Sequence, residues 1–350
     1  MKVKINNREI GDNHPPYIIA EMSANHNGKI ENAKKIIKEA KKAGADAVKI
    51  QTYTADTITF KSKKEDFLIH GGLWDGKNLY ELYEEAHLPW DWHKELFDYA
   101  EKEEITIFSS PFDATAVDLL EDLNAPAYKI ASFEVVDLPL IKYAASTKKP
   151  LIISTGMANK TEIQEAIAAA KDSGCQDLII LHCVSGYPAP PIDYNLETIS
   201  DMKKSFGVLV GLSDHTIDNV TAICSVSMGA CLIEKHFTLN RDGGGPDDSF
   251  SMESKDLEEL CIKSKIAWQS RGKVNYEKTE SEKGNLKFRR SLYVVSDIKK
   301  GEIFSSQNIR SIRPGFGIEP KHIEDILGKK SNSNIEAGTA LSWDLIKNET

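Results

Sequence analysis

The chain has 350 residues and a net charge of −9, with 41% hydrophobic and 28% charged residues, the balance of a globular protein with one large domain and a small one. The excess of acid excludes nucleic acid as a partner, because phosphate backbones call for basic faces, but it allows a small anionic substrate held by a few local cations. No run of about 18 apolar residues exists to cross a membrane, and the N-terminal Met-Lys-Val-Lys-Ile lacks an apolar signal core.

The five cysteines are odd in number and include no CxxC pair, so they read as reduced packing residues of a cytoplasmic protein. From residue 17 onward, strand and helix patterns alternate. Strands are expected at 17–22, 45–52, 105–109, 127–131, 150–154, 178–183, 208–212 and 231–233. Helices are expected at 30–43, 90–102, 114–123, 138–145, 161–172, 196–206, 218–230 and 256–271. Gly44 is a good stop for the first helix, Asp113 is placed to cap the third, and Thr161 or Asn159 the fifth. An insertion at 53–89, containing Gly71-Gly-Leu-Trp-Asp-Gly76, is long for a compact domain and reads as a functional loop or lid.

Nearly all-apolar strands separated by helices imply a parallel sheet covered on both faces. Eight such units are the number in a (β/α)8 TIM barrel. A doubly wound sheet is the alternative, but no G-x-G-x-x-G follows the first strand. The barrel is expected over residues 1–273 as the catalytic domain, a polar linker over 274–287, and a small β-rich domain over 288–350.

Two of the expected strands, 208–212 and 231–233, run into histidines, His215 and His236. Adjacent parallel strands lie about 4.8 Å apart, so the two imidazoles can converge on one ion. With oxygen partners they suit a borderline divalent ion such as Mn²⁺, Fe²⁺, Co²⁺ or Zn²⁺. Two ligands are too few for a closed structural zinc site, and open positions are what Lewis-acid catalysis requires. The active site of a parallel barrel lies at the C-terminal ends of its strands, and every strand here delivers polar groups to that end. Strand alternation turns Glu234 inward with His236 and Lys235 outward, and it puts Lys49 and Gln51 on one face. Lysines inside a barrel need anions. Lys49 and Lys129, with Ser110, Ser132, Ser154 and Ser213, make a nest for phosphate or carboxylate, and Glu21 is a candidate general base that could also pair with either lysine. Two other readings stay open: a Schiff-base aldolase with Lys49 or Lys129 as nucleophile, and a carbohydrate-binding protein without catalysis.

These stretches resemble the sialic acid synthase family of phosphoenolpyruvate-condensing enzymes. The matching segments are Ala20-Glu-Met-Ser-Ala-Asn-His-Asn-Gly28, Lys49-Ile-Gln-Thr-Tyr53, Ser109-Ser-Pro-Phe112, Tyr128-Lys-Ile-Ala-Ser132, Gly211-Leu-Ser-Asp-His-Thr216 and Ile233-Glu-Lys-His-Phe237. The tail, with Phe288-Arg-Arg-Ser-Leu and Ile312-Arg-Pro-Gly-Phe-Gly317, is similar to the family's antifreeze-like (SAF) domain. Within the family, the opening segment, the Gly-Gly-Leu-Trp-Asp-Gly loop and Tyr187-Pro-Ala-Pro-Pro191 look most like the branch acting on 2,4-diacetamido-2,4,6-trideoxy-L-altrose. The branches making N-acetylneuraminate and legionaminate are its neighbours. Ser185 stands where the family commonly has asparagine, which bears on the acceptor sugar rather than on the chemistry.

The resemblance implies a metal, Mn²⁺ with Mg²⁺ or Co²⁺ as alternatives, held by His215 and His236. It implies that Glu21 acts with these histidines in catalysis and that Lys49, Gln51, Ser110, Lys129, Ser132, Ser154 and Ser213 bind phosphoenolpyruvate. Asn25, Glu134, Tyr187, Asp247 and Arg313 would contact an open-chain amino sugar, Arg313 reaching it from the antifreeze-like domain of a second subunit in a domain-swapped homodimer. Trp74 or Tyr80 would pack on the methyl groups of the deoxy sugar.

Overall fold

The computed structural model describes residues 1–347. Met1–Gly272 forms one compact unit and the residues from Lys273 onward a second.

The chain opens with a hairpin that the periodicity above did not identify, β1 (Lys2–Ile5) and β2 (Arg8–Gly11). Its signal is short: Val3 and Ile5 alternate with lysines, and an Asn-Asn turn follows with Asn6 at φ 49°. Val3, Ile5 and Ile10 pack with Tyr17, Ile19, Phe108 and Ile179 and close the base of the barrel that follows.

That barrel consists of β3 (Tyr17–Glu21), β4 (Ala47–Thr52), β5 (Thr106–Pro111), β6 (Tyr128–Ile130), β7 (Leu151–Ser154), β8 (Leu178–Cys183), β9 (Leu209–Asp214) and β10 (Leu232–His236). The strands pair in sequence order, all parallel, and β10 closes on β3. Nearly every strand residue is buried, which is why the strands read as continuous apolar runs rather than as alternating ones. The last two strands run further than their apolar stretches suggest, to Asp214 and His236. Their polar ends are buried in ion pairs and hydrogen bonds, so the ladder continues where hydrophobicity stops.

Helices α1 (Ile30–Ala43), α2 (Ala55–Ile58), α3 (Leu79–Ala86), α4 (Trp92–Lys102), α5 (Ala114–Asp122), α6 (Leu138–Ser146), α7 (Lys160–Asp172), α8 (Glu197–Phe206), α9 (Val220–Met228) and α10 (Ser254–Arg271) belong to this unit. In α1 the buried residues are Ala33, Ile36, Ile37, Ala40 and Ala43, a single stripe at helical spacing, and Gly44 ends the helix at φ 94°. Asp113 accepts from the N–H groups of Thr115 and Ala116 at the start of α5. Asn159, not Thr161, caps α7, in a box with Glu162. The insertion at 53–89 is more ordered than a bare loop, with α2, α3 and a tight turn between paired Leu68 and Asn78.

The second unit begins in the segment expected as a linker, where Glu280–Lys283 forms the short helix α11. Strands β11 (Ser291–Val294) and β12 (Ile309–Ile312) pair antiparallel, and α12 (Ile323–Ile326) follows. Leu292, Val294, Phe304, Ile309, Ile326 and Leu341 form its own small core.

Candidate active site

Register brings the charges together. Glu21 is level with Lys49 across β3 and β4, and with His236 across β3 and β10. Glu234 lies opposite Ser213, and Gln51 opposite Ser110. Because inward positions recur every second residue, these rungs stack Glu21, Lys49, Lys129 and Glu234 in the barrel interior, each 5% exposed or less.

They form an alternating chain. Lys49 Nζ lies 2.8 Å from Glu21 Oε2 and 3.5 Å from Glu234 Oε1, which is 3.1 Å from Lys129 Nζ. Lys49 also donates to Ser110 Oγ at 3.1 Å, and Gln51 Nε2 donates to Glu21 Oε1 at 2.7 Å and to Ser23 Oγ at 3.0 Å. The two carboxyls are pushed in opposite directions. Burial raises the Glu21 pKa, and the nearby Glu234 carboxylate adds to the effect against the pull of Lys49. Burial acts on Glu234 too, but there Lys129 and Lys49 outweigh it and hold the pKa below the ordinary value. Lys49 is desolvated, yet its two carboxylate partners raise its pKa. An ammonium so held has no lone pair for a carbonyl, which counts against Lys49 as a Schiff-base nucleophile.

Beside the lysines is a cradle of hydroxyls. Gly156 N–H donates to Ser132 Oγ at 3.1 Å. A Cβ at Gly156 would fall 2.3 Å from Ser185 Oγ and 2.8 Å from Ser132 Oγ, so both hydroxyls, in the loops after β8 and β6, would have to turn away. Ser154 Oγ and Ser185 Oγ are buried without a partner. Of these three serines only Ser132 lines the cavity with the two lysines, and hydroxyls that the protein leaves unpaired suit an incoming anion. Gly156 escaped the sequence reading, and Ser185 entered it only as a departure bearing on the acceptor sugar, because three strands must be in register before the cradle exists.

The imidazoles of His215 and His236 meet with ring centroids 5.4 Å apart. His215 Nδ1 donates to the Val184 carbonyl at 2.8 Å; burial pulls this ring's pKa down, but Cys183 and that carbonyl carry it above the usual value, so a metal at Nε2 would displace a proton. Burial, then the charges of His215, Lys49 and Lys129, hold the His236 pKa far below its usual value, so this ring is neutral as a ligand must be. Its Nδ1 has no hydrogen-bond partner. Among the described residues no three His, Cys, Asp or Glu groups gather where they could hold a metal by themselves. The pair therefore fits a divalent ion whose remaining positions are filled by water and substrate.

Tyr187 covers the pair, its ring 4.4 Å from that of His215 and 6.0 Å from that of His236. The same cavity, about 50 Å³, is lined by Glu21, Lys49, Gln51, Lys129, Ser132, Cys183, Tyr187, Ser213, His215, Glu234 and His236. A larger and more open depression of about 580 Å³ lies in the second unit, but it gathers only Glu302 and Lys330 as charged groups. The chemistry belongs to the smaller one.

The remaining expected residues divide. Asp247 accepts a hydrogen bond from Ser23, and its Oδ2 is 3.9 Å from His236 Nδ1. Glu134 is half-buried, with one carboxylate oxygen unpaired and its pKa pushed up by burial to about 7. Asn25 does not face the cavity: its Nδ2 donates to the Phe237 carbonyl and to Ser251 Oγ, tying the loop after β3 to the loop after β10. The resemblance gave Asn25 a sugar contact; Ser23, left-handed at φ 45°, ends the strand's alternation before it. Arg313 directly follows β12 in the second unit. Tyr80 stays within the insertion, under the Lys61 ammonium. Lys235 turns outward, where its Nζ meets Asp214 Oδ2 at 2.7 Å.

A closed parallel barrel with acid, base, cations and paired imidazoles at the C-terminal ends of its strands is a (β/α)8 enzyme. Residues 36–276 match the NeuB family and residues 289–347 the SAF domain. The chain is 45% identical over 335 residues to a pseudaminic acid synthase of Helicobacter pylori, a match spanning 95% of this chain and 98% of that protein. It is 46% identical over 325 residues to a pseudaminic acid synthase of Campylobacter jejuni, spanning 93% of this chain and 95% of that one. Its structure is similar to that of an N-acetylneuraminic acid synthetase from Leptospira borgpetersenii in complex with citrate. There the TM-score is 0.74 at 31% identity, over 83% of this chain and 96% of the other. The chain belongs to the NeuB family and carries a C-terminal SAF domain.

Proposed function

We propose that this enzyme condenses phosphoenolpyruvate with the open-chain form of 2,4-diacetamido-2,4,6-trideoxy-L-altrose and water, releasing pseudaminic acid and phosphate by C–O cleavage. The observation that carries the chemistry is the meeting, in one cavity, of a lysine–serine cluster with a pair of imidazoles. The acceptor rests on the likeness to the Helicobacter and Campylobacter proteins.

Lys49 and Lys129, with Ser110, Ser132, Ser154 and Ser213, hold the phosphate and carboxylate, their charge and hydroxyls replacing the water those groups lose. The methylene carbon of phosphoenolpyruvate then attacks the acceptor aldehyde, and positive character develops at C2. A divalent ion on His215 and His236, Mn²⁺ with Mg²⁺ or Co²⁺ as alternatives, supplies Lewis acidity to the aldehyde when bound. Glu21, with its pKa raised, is the stronger base of the two buried carboxylates and takes the proton of the water that adds at C2. Glu234 stays ionised and keeps both lysines in place. Asp247, Tyr187 and Glu134 orient the sugar. Arg313 serves the acceptor from the second subunit of a domain-swapped homodimer, a reading supported by the family resemblance of the tail.

The test is phosphate release from phosphoenolpyruvate across a panel of acceptors: the altrose derivative, the legionaminate-series acceptor and N-acetylmannosamine. Turnover is expected to be greatest with the altrose derivative. A preference for N-acetylmannosamine would refute the acceptor, and no phosphate with any sugar would refute the condensation. Mixed His215→Ala and Arg313→Ala subunits should regain activity, and none after proven exchange would refute the shared site.

A further inference from the structure

The insertion between β4 and α4 ends in a narrow tip built to present one side chain. Ile69 N–H bonds to the Lys77 carbonyl, and Gly76 N–H to that of Ile69, both at 2.9 Å. Asp75 Oδ1 accepts from Gly71 N–H at 2.6 Å. Gly71, Gly72 and Gly76 are all left-handed, at φ 78°, 75° and 80°, and a Cβ at any of them would meet only open space. These glycines are therefore needed for the turn and not for close packing. Leu73 beside them is 48% exposed. Trp74 alone turns back to the barrel mouth. Its indole N–H donates to the Pro246 carbonyl at 3.2 Å, and its ring lies 5.8 Å from that of Tyr187.

Trp74 thereby joins an aromatic surface around the reacting end. Tyr187 is 5.4 Å from Phe250, and Phe250 is 5.0 Å from His236, all by ring centroid. Pro246 immediately precedes Asp247. Within this unit the histidine pair, Asp247 and Trp74 are joined in series, Asp247 Oδ2 lying 3.9 Å from His236 Nδ1 and Trp74 bonding to Pro246 beside it. Resting on the acceptor reading above, the aldehyde end belongs at the histidines, the substituted middle of the chain at Asp247, and the far end at Trp74.

The indole has a single polar atom, and Pro246 already takes it. A hydroxyl at the far carbon would lose water and find only carbon there, whereas a methyl would lose nothing and gain contact. We propose that Trp74 is a specificity-determining residue, the wall that selects an acceptor with a methyl rather than a hydroxymethyl terminus. An apolar pocket rejects an added hydroxyl only moderately, by about 10–100-fold.

The experiment compares kcat/KM for 2,4-diacetamido-2,4,6-trideoxy-L-altrose and its 6-hydroxy counterpart in the parent enzyme, Trp74→Phe and Trp74→Ser. The parent should favour the deoxy sugar by about 10–100-fold. Trp74→Phe keeps an apolar ring without the N–H and should retain most of that ratio. Trp74→Ser should bring the two sugars to near equality, chiefly by raising KM for the deoxy sugar, with KM for phosphoenolpyruvate unchanged. Turnover of both sugars at a ratio that Trp74→Ser leaves intact would overturn the wall while sparing the proposed reaction. Equal loss of the ratio in Trp74→Phe would also overturn it, because the indole N–H latch would then be responsible. A parent enzyme that turns over neither sugar would remove the acceptor reading and the wall together.

Discussion

Replacing Asp214 by asparagine should destabilise the barrel by about 3–5 kcal/mol, the usual cost of removing one partner from a buried pair. Lys235 and Asp214 are 2% and 0% exposed. Lys235 Nζ lies 2.7 Å from Asp214 Oδ2 and also donates to the Thr216 carbonyl. Asp214 accepts in turn from Thr216 N–H and Thr216 Oγ1, each at 3.0 Å. Asparagine keeps the shape and one acceptor for Thr216 but strands the ammonium. Burial already lowers the Lys235 pKa even with Asp214 opposing it. The penalty has a ceiling, because the stranded lysine can shed its proton. From an ordinary pKa near 10.4, doing so at pH 7 costs about 4.6 kcal/mol. Once rising pH brings that ceiling below the penalty for the charged lysine, the loss in Asp214→Asn should shrink by about 1.4 kcal/mol for each further pH unit. Urea unfolding at pH 7, 8 and 9 measures both quantities, and Asp214→Asn/Lys235→Met should recover most of the loss by removing the charge as well. A single variant within about 1 kcal/mol of the parent at pH 7, or a loss independent of pH, would refute the reasoning. Each partner directly adjoins one of the paired histidines, so Mn²⁺ affinity measured on the same samples should fall in the single variant.

Gly156→Ala should raise KM for phosphoenolpyruvate at least tenfold without lowering the melting temperature much, because its Cβ would enter the space held by Ser185 Oγ and Ser132 Oγ. Adding Ser185→Ala should restore part of the affinity, and an unchanged KM in Gly156→Ala would remove the serine cradle from the anion site. His93, fully buried against Thr52, has its pKa lowered by burial from 6.5 to about 4. The folded ring stays neutral while the unfolded one takes up a proton, so stability is full above pH 6.5 and falls as pH drops towards 4. The loss between pH 7 and pH 5 is about 2 kcal/mol, and His93→Gln should flatten that part of the urea-stability profile. His215→Ala and His236→Ala should each abolish turnover and Mn²⁺ uptake by calorimetry. Wild-type uptake in either variant would contradict the shared ion site.

The barrel was legible because strands covered on both faces leave eight apolar runs, and helices leave stripes such as Ala33–Ile37–Ala40. The period of two inside a strand also separated Glu234 and His236 from Lys235 without any structure. Legibility ended where the period ended. Asn25 lies beyond the left-handed Ser23, and its side chain went to Phe237 and Ser251 instead of the cavity. Side-chain contacts between separate strands and loops were equally invisible: the approach of Gly156 to Ser185, the outward pairing of Lys235 with Asp214, and the reach of Trp74 across to Tyr187. The apolar pattern also ended β10 early, since its last three residues are polar and buried by pairing rather than by hydrophobicity.

The proposed reaction is tested most directly with phosphoenolpyruvate carrying ¹⁸O in the bridge between C2 and phosphorus. Cleavage of the C–O bond in the Lys49–Lys129 cluster sends that oxygen out with phosphate, so the released phosphate should contain the label and the sugar acid none. Label retained in the sugar acid would mean that the P–O bond breaks, and would contradict the account.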